Sequence, residues 1–203
     1  EALARGHFVT AVSRDPSRIT KQHPNLTAVA GDLLDPDSVL ALARGKDVVI
    51  TSVRGVIGED KDPKNALQYL AVVNVTDQLR ALGDEAGRLI HVGGSGSLEV
   101  GDGRLYYDQL PKLFLPKKLE LEIEGQILAL EYLRDIDGVE WSYATPPKNL
   151  TNGERTGNFR VGGDQLMEDD RGRSRLSRAD LAVAVLDEAE FETHTGRRFS
   201  VAY

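Results

Sequence analysis

The sequence predicts an α/β fold with a doubly wound parallel sheet. Strand-like and helix-like segments alternate along most of the chain, as βαβ units require. The segment Asp47–Ser52 has the continuous apolar character of a strand that is covered on both faces. The length of 203 residues suits one domain, and no repeat or linker divides it. We therefore expect a single domain over residues 1–203, with the part from about residue 145 to 203 contributing the substrate side.

Each element of this fold has its own signal. Short runs rich in β-branched and aromatic residues predict strands at Phe8–Val12, Leu26–Ala30, Asp47–Ser52, Arg88–Val92 and Trp141–Tyr143. An N-cap at Asp35, with Pro36 at the first helical position, predicts one helix. Apolar residues spaced three and four apart predict one helix from Leu67 to Leu82 and one from Leu119 to Leu133. The C-terminal part breaks the rhythm, with a loop or hairpin at Gly153–Met167, a helix from Ser177 to Ala189 and a last strand at Arg198–Ala202.

The composition limits the classes of function. A net charge of -7 argues against nucleic acid as the main partner, because a phosphate-binding face needs clustered Lys and Arg. The absence of cysteine excludes disulfides and Cys-ligated metals, and the four histidines have no ligand spacing, so we expect no metal. No apolar run reaches the roughly 18–20 residues of a membrane span. We expect a cytoplasmic protein, monomeric or homodimeric, that acts on a small molecule.

In open parallel sheets, ligands bind beyond the carboxyl ends of the strands. Ser13 and Arg14 follow the first strand, where a hydroxyl beside a guanidinium suits the 2′-phosphate of NADP and an acidic residue would suit NAD. A solvated arginine before an Asp-Pro turn is the alternative. Asp32 and Leu33 follow the second strand, where they can bind an adenine amino group and pack on its ring. An ordinary Asp-containing turn explains them as well.

Two further strands end in small or rigid residues. Thr51 and Ser52 follow the most apolar strand, where small side chains let the backbone approach a nicotinamide ribose. A plain strand exit explains them equally well. Thr145 and Pro146 follow the strand of Trp141 and can wall a pocket and present backbone groups to a carboxamide. Proline also simply terminates a strand, which is the alternative there.

The most unusual stretch is the Gly-rich turn at residues 93–97. It follows a buried strand, but it is wrongly spaced and too late in the chain for a dinucleotide fingerprint. We expect Gly93 and Gly94 to allow a cofactor to approach closely. We expect Ser95 to be the catalytic residue that presents its hydroxyl to a substrate carbonyl or a nicotinamide ring. A purely structural turn is the alternative.

Several segments together resemble a known family. They are Ala4–His7 with Val12–Pro16, Gly31–Pro36, Val92–Leu98, Ser142–Pro147, and Gly153–Gly157 leading to Gly162–Leu166. On these segments the chain resembles the atypical short-chain dehydrogenases/reductases of the NAD(P)H-binding, NmrA-like type, and within them the NADH-flavin reductase group. The resemblance covers essentially the whole chain and implies a Rossmann-like sheet. It also implies an NAD(P)H site built from Ser13, Arg14, Asp32, Leu33, Thr51, Ser52, Ser95, Thr145 and Pro146.

The start of the chain departs from that family pattern. Residues 1–14 are typical of a helix end, a turn and a strand. The first strand and the Gly-x-x-Gly-x-x-Gly phosphate loop of such a fold would precede them. We therefore expect roughly 20–25 further residues upstream, the length of one βα unit.

The reaction follows from a second departure. No tyrosine is followed four residues later by lysine, so the Tyr-x-x-x-Lys pair of ordinary short-chain dehydrogenases is absent. Reducing an unactivated ketone needs such a proton donor, whereas a flavin or quinone delocalises its negative charge. We expect a reductase that prefers NADPH over NADH and passes hydride to a flavin or quinone-like acceptor. Tyr106, Tyr107 and Phe114 can line the acceptor face, although core packing is the commoner fate of aromatic residues.

Two other functions remain open from the sequence. A non-catalytic dinucleotide sensor that regulates a partner would also lack the catalytic pair. An NAD(P)-dependent epimerase or isomerase would keep its cofactor bound and would need an acid/base pair near Ser95. Acceptor-dependent oxidation of NADPH distinguishes the reductase from the sensor.

Overall fold

The structure is a computed structural model that describes residues 1–58, 62–101 and 103–203. Its strands are β1 (Val9–Ser13), β2 (Leu26–Ala30), β3 (Val48–Thr51), β4 (Arg88–Val92), β5 (Trp141–Thr145), β6 (Asn149–Thr151), β7 (Arg160–Gly162), β8 (Arg175–Ser177) and β9 (Arg197–Ala202). Its helices are α1 (Pro36–Ala43), α2 (Leu67–Leu82), α3 (Tyr106–Gln109), α4 (Lys117–Asp135) and α5 (Arg178–Phe191). All the predicted strands and helices are present, with ends that differ by a few residues.

The described strands form one central sheet and two small ones. The central sheet has the order β3-β4-β5-β9-β7, in which β3, β4, β5 and β9 are parallel and β7 is antiparallel to β9. The pairs β1-β2 and β6-β8 are parallel as well. The predicted α/β fold with a mainly parallel sheet is therefore confirmed.

The core lies on both faces of the central sheet. Leu89 of β4 packs with apolar residues of α1, α2 and α4 on one face. The next residue, Ile90, packs with α5 and with Phe199 on the opposite face. Successive side chains of a strand point to opposite faces, so helices cover the sheet on both sides.

Helix starts follow the signals in the sequence. The carboxylate of Asp35 accepts a hydrogen bond of 3.1 Å from the backbone N–H of Asp37 and caps α1, while Pro36 occupies the first helical turn. Ser177 caps α5 in the same way, by accepting a bond of 2.9 Å from the backbone N–H of Asp180. The helix end predicted before β1 forms hydrogen-bonded turns, such as the one from the Arg5 N–H to the Glu1 carbonyl.

The segment Gly153–Met167 is mostly a loop, which is one of the two predicted forms, and it does not form a hairpin. Its short strand β7 pairs with β9, and the preceding strand β6, which ends at Thr151, pairs with β8 on the other side of the segment. These strands are three residues long, and their partners are distant. Neither a hairpin turn nor a run of alternating residues could reveal them.

The strands β1 and β3 each keep an unpaired edge within the described part of the chain. β1 pairs with β2, and β3 is the outermost strand of the central sheet. Val12 of β1 is 48% exposed and Ile50 of β3 is 43% exposed, which is unusual for apolar strand residues of an α/β fold. The expectation of further residues upstream stays a prediction.

Among the described residues, no helix is long and apolar enough to cross a membrane.

The buried carboxylate of Asp180 makes the stability of this fold depend on pH. Burial alone would raise its pKa, but the hydroxyls of Thr156 and Tyr203 and the backbone N–H groups of Thr156 and Gly157 donate to it and lower the pKa to about 2. A carboxyl with a lowered pKa stabilises the fold above its unfolded-state pKa, near 4. That contribution is lost as the pH falls through the folded-state pKa.

We expect Asp180→Asn to lower the free energy of unfolding at neutral pH by about 2 kcal/mol. The difference from the unmodified protein should shrink between about pH 4 and pH 2. Urea unfolding over this range measures it, with Asp170→Asn at an exposed position as the control. A difference between Asp180→Asn and the unmodified protein that is independent of pH would contradict this account.

Candidate functional site

The carboxyl ends of the central strands meet at one edge of the sheet. Thr51, His91 and Tyr143 are direct neighbours in the register of β3, β4 and β5. Beyond them, the Gly93 N–H donates to the Ala144 carbonyl over 2.9 Å, so the Gly-rich turn begins beside the end of β5. The structure thus brings the predicted residues of these three strands together.

The ends of β1 and β2 also lie side by side. The Gly31 N–H donates to the Ser13 carbonyl over 3.1 Å. Arg14 is exposed, while the Ser13 hydroxyl accepts a bond of 3.3 Å from the Asp15 N–H. The guanidinium is therefore accessible to a ligand at this edge.

Asp32 and Leu33 form a turn that is tied to the helical layer. The Asp32 side chain is exposed and accepts a bond of 2.9 Å from the Leu34 N–H, which is the turn role given above as the alternative. The side-chain amide of Asn74 in α2 donates to the Leu33 carbonyl over 2.6 Å. Asn74 thus connects this turn to α2, and Leu33 packs on the apolar core.

The hydroxyl of Thr51 is engaged inside the protein. It lies 2.7 Å from Nδ1 of His91, and both side chains are buried. Burial lowers the pKa of His91 to about 3, so the imidazole is neutral at physiological pH. Ser52, the next residue, is exposed at the edge.

The glycines of the turn are required by close packing. A Cβ at Gly93 would lie 2.1 Å from the ring of Tyr143, and one at Gly94 would lie 1.9 Å from the side-chain oxygen of Gln126 in α4. A Cβ at Gly96 would lie 2.4 Å from Cγ2 of Ile123 in the same helix. The turn therefore packs directly on β5 and α4, a reason for glycine that the sequence pattern did not reveal. Ser95 is partly buried in the turn, between these contacts.

A buried arginine holds the far end of the turn. Arg198 of β9 donates to the Ser97 carbonyl over 2.7 Å and to the Ser97 hydroxyl over 3.0 Å. Its Nε also donates to the Asp164 carboxylate over 2.8 Å. Arg198 and Asp164 were missed by sequence reasoning. The only signal was that Arg198 and Ser200 alternate with apolar residues on β9.

Thr145 and Ser200 add two buried hydroxyls to this edge. They face each other in the register of β5 and β9. Neither hydroxyl has a hydrogen-bond partner among the described residues, although both side chains are fully buried. Pro146 is also buried. A buried hydroxyl without a partner indicates a place for water or for a polar ligand group.

Two tyrosine hydroxyls near the turn, those of Tyr107 and Tyr143, are engaged in hydrogen bonds. Tyr143 donates to the Gln126 carbonyl over 2.9 Å, and burial raises its pKa. Tyr107 donates to the carboxylates of Glu124 at 2.7 Å and Glu120 at 3.2 Å. Burial and these carboxylates raise the pKa of Tyr107 as well. Both phenols are therefore weaker acids than a free tyrosine.

A comparison with protein families decides the assignment. A family model described as NAD(P)H-binding matches residues 1–190. The chain belongs to this NAD(P)H-binding family. The Rossmann-like fold and the family implied by the resemblance are therefore confirmed.

Solved structures of similar proteins cover nearly the whole chain. A "putative epimerase" from Bacteroides thetaiotaomicron is 28% identical with a TM-score of 0.87, covering 100% of this chain and 88% of that one. A "putative exported protein" from Burkholderia pseudomallei is 31% identical with a TM-score of 0.82, covering 100% and 90%. A "putative NADH-flavin reductase" from Streptococcus pneumoniae is 25% identical with a TM-score of 0.74, covering 99% and 90%.

The residues at the sheet edge fit a nicotinamide dinucleotide. Thr145 has a buried hydroxyl without a partner among the described residues, and a carboxamide can supply that partner. Arg14 is exposed and follows Ser13 in the sequence, so its guanidinium is available to a phosphate group. The remaining predicted residues follow the carboxyl ends of their own strands, and their roles stay predictions.

We expect Gly93→Ala to lower the free energy of unfolding by about 1–3 kcal/mol, because the new methyl group overlaps the Tyr143 ring. In a Tyr143→Leu background the same change should cost less, with a coupling of about 1 kcal/mol. Chemical unfolding of the four proteins measures this. Gly163→Ala is the matched control, since a Cβ there meets no atom within 4 Å. Equal costs in both backgrounds would rule out the contact as the cause.

Proposed function

We propose that this member of the NAD(P)H-binding family is a reductase that prefers NADPH over NADH and passes hydride to a flavin or quinone-like acceptor. The preference rests on Arg14, whose exposed guanidinium follows β1 with no acidic residue between it and the strand. A 2′-phosphate gains a charge-assisted bond there, whereas an unmodified ribose hydroxyl does not. The chain's similarity to the "putative NADH-flavin reductase" supports the choice of acceptor.

The hydrogen bonds of Tyr107 and Tyr143 support the choice of reaction. The hydroxyls of Tyr107 and Tyr143 are committed to Glu124 and to the Gln126 carbonyl, and both pKa values are raised. Neither phenol is therefore suited to protonate an alkoxide. A flavin or quinone needs no such donor, since its reduced anion is delocalised and takes a proton from water.

The chain's own residues then act by binding and orientation. A bound reduced nicotinamide supplies the hydride. Thr145 would hydrogen-bond the carboxamide of the nicotinamide, and the closely packed turn at residues 93–97 would help to orient it. Ser95 presents its hydroxyl to the acceptor. Phe114 is 80% exposed, so its ring can cover a flat acceptor from the solvent side.

The alternative of an epimerase is supported by the similarity to the "putative epimerase". Such an enzyme needs a group that exchanges protons near Ser95. His91 is buried and neutral, and its Nδ1 is bonded to Thr51. This argues against a proton-exchanging role for it. A dinucleotide sensor would bind the cofactor and show no acceptor-dependent oxidation.

We expect Arg14→Ala to weaken NADPH binding about tenfold and to leave NADH binding unchanged, because a charge-assisted phosphate contact is lost. Titration calorimetry with both nucleotides measures this. Arg18→Ala removes a neighbouring exposed guanidinium and is the control. If neither nucleotide binds, the reductase proposal is refuted; equal weakening of both would remove Arg14 from the phosphate site.

We expect Ser95→Ala to lower kcat/KM for a flavin acceptor about tenfold, the effect of losing one hydrogen bond that positions the acceptor. NADPH affinity should not change, and this serves as the internal control. Initial rates of NADPH oxidation with and without the acceptor measure it. Unchanged rates would remove Ser95 from the catalytic site, and NADPH binding without oxidation would favour the sensor.

A further inference from the structure

A small polar cleft lies next to the proposed acceptor position. It has a volume of about 280 Å³. Its walls come from the segment after the Gly-rich turn, the end of α3, Lys148 and the segment following β7. The side chains that give it its character are Glu99, Gln109, Lys148, Gln165 and Glu168. Ligand pockets commonly have about 300–1,000 Å³, so this cleft suits one part of a ligand.

The cleft adjoins the site along the chain on two sides. Glu99 is two residues beyond Ser97, the last residue of the turn, and Lys148 is two residues beyond Pro146. Two residues span at most about 7 Å. A molecule whose ring lies at the turn can therefore reach the cleft with a short side chain.

The walls of the cleft are fixed by hydrogen bonds. The Glu99 N–H donates to the Asp164 carbonyl, and the Leu166 N–H donates to the Glu99 carbonyl, each over 2.8 Å. The Gln165 amide donates to the Glu99 carboxylate over 2.5 Å. The two walls therefore keep their spacing without a ligand, which lowers the entropic cost of binding.

The charges of the cleft select an uncharged, hydroxyl-rich group. Lys148 forms an ion pair with Glu168, and its ammonium lies 4.9 Å from the centre of the Tyr106 ring. Because the Lys148 ammonium is paired with Glu168, the carboxylate of Glu99 gives the walls of the cleft an excess of negative charge. Carboxylates and amides bind hydroxyl groups well, whereas a phosphate carries nearly two negative charges and is repelled.

We propose that this cleft binds the ribityl chain of a flavin acceptor and selects riboflavin over its 5′-phosphate, FMN. This inference rests on the proposed reductase function and adds the substrate class. The isoalloxazine ring lies at the Gly-rich turn, and the hydroxyls of the chain bond to Gln109 and to the carboxylates of Glu99 and Glu168.

The test compares riboflavin, FMN and lumiflavin, which carries the same ring system without the ribityl chain. Anaerobic flavin reduction by NADPH gives kcat/KM for each. For the unmodified protein we expect riboflavin to exceed both other flavins about tenfold. Gln109→Ala should lower the value for riboflavin about fivefold and leave lumiflavin unchanged, since Gln109 is exposed and its loss spares the core.

A gain of activity provides a test that misfolding cannot imitate. Glu168→Gln removes a negative charge and frees Lys148, so kcat/KM for FMN should rise about fivefold. Glu131→Gln, at an exposed position near the C-terminal end of α4, is the matched control and should leave kcat/KM for FMN unchanged.

The outcomes separate this inference from the reductase proposal. Lumiflavin that reacts as well as riboflavin, with FMN unaffected by Glu168→Gln, would overturn the cleft assignment and leave the reductase intact. If no flavin is reduced, the flavin acceptor of the proposed function is refuted, and the quenching of riboflavin fluorescence on binding then tests the cleft assignment. Riboflavin binding that Gln109→Ala weakens would support the ribityl site. The absence of riboflavin binding would overturn it.

Discussion

The close contact between the Gly93 backbone and the Tyr143 ring sets the geometry of the candidate site. It requires glycine at position 93 and holds the turn against β5, while Gln126 and Ile123 bring α4 onto Gly94 and Gly96. Tyr143 in turn donates to the Gln126 carbonyl, so strand, turn and helix form one packed unit. A closely packed turn of this kind suits a reductase that relies on positioning its substrates rather than on an acidic group.

The same unit explains how the C-terminal segment reaches the site. Arg198 ties Ser97 at the end of the turn to Asp164, and the Asp164 carbonyl accepts from the Glu99 N–H. The segment after β7 is thereby positioned beside the turn, although it is distant in sequence. The expectation that the part of the chain from about residue 145 contributes the substrate side stays a prediction.

The sequence was sufficient for the elements whose signals are local. The apolar run of β3 and the cap at Asp35 identify their elements without tertiary context. The sequence was insufficient for the elements and residue roles that depend on contacts between distant parts of the chain. β7 is three residues long and is stabilised by β9, and the roles of Arg198 and Asp164 depend on a packing that no spacing encodes. The glycines of the turn stood out in the sequence for a different reason from the one the structure gives.

The predicted site shows the same division. The rule that ligands bind at the carboxyl ends of parallel strands predicted that Thr51, Gly93 and Thr145 lie at one edge. The register of β3, β4 and β5 places them there. It could not show that the Thr51 hydroxyl is bonded to His91, nor that the Thr145 hydroxyl has no partner among the described residues. These states depend on side-chain burial and register, which determine which predicted residues remain available to a ligand.

The most direct test of the central claim is amide hydrogen exchange of the purified protein with and without NADPH. A nicotinamide dinucleotide at the carboxyl edge should slow exchange at residues 13–15 and 93–97, while the amides of α5 should exchange at the same rate in both conditions. Protection that appears elsewhere, or none at saturating NADPH, would contradict the placement of the cofactor at this edge.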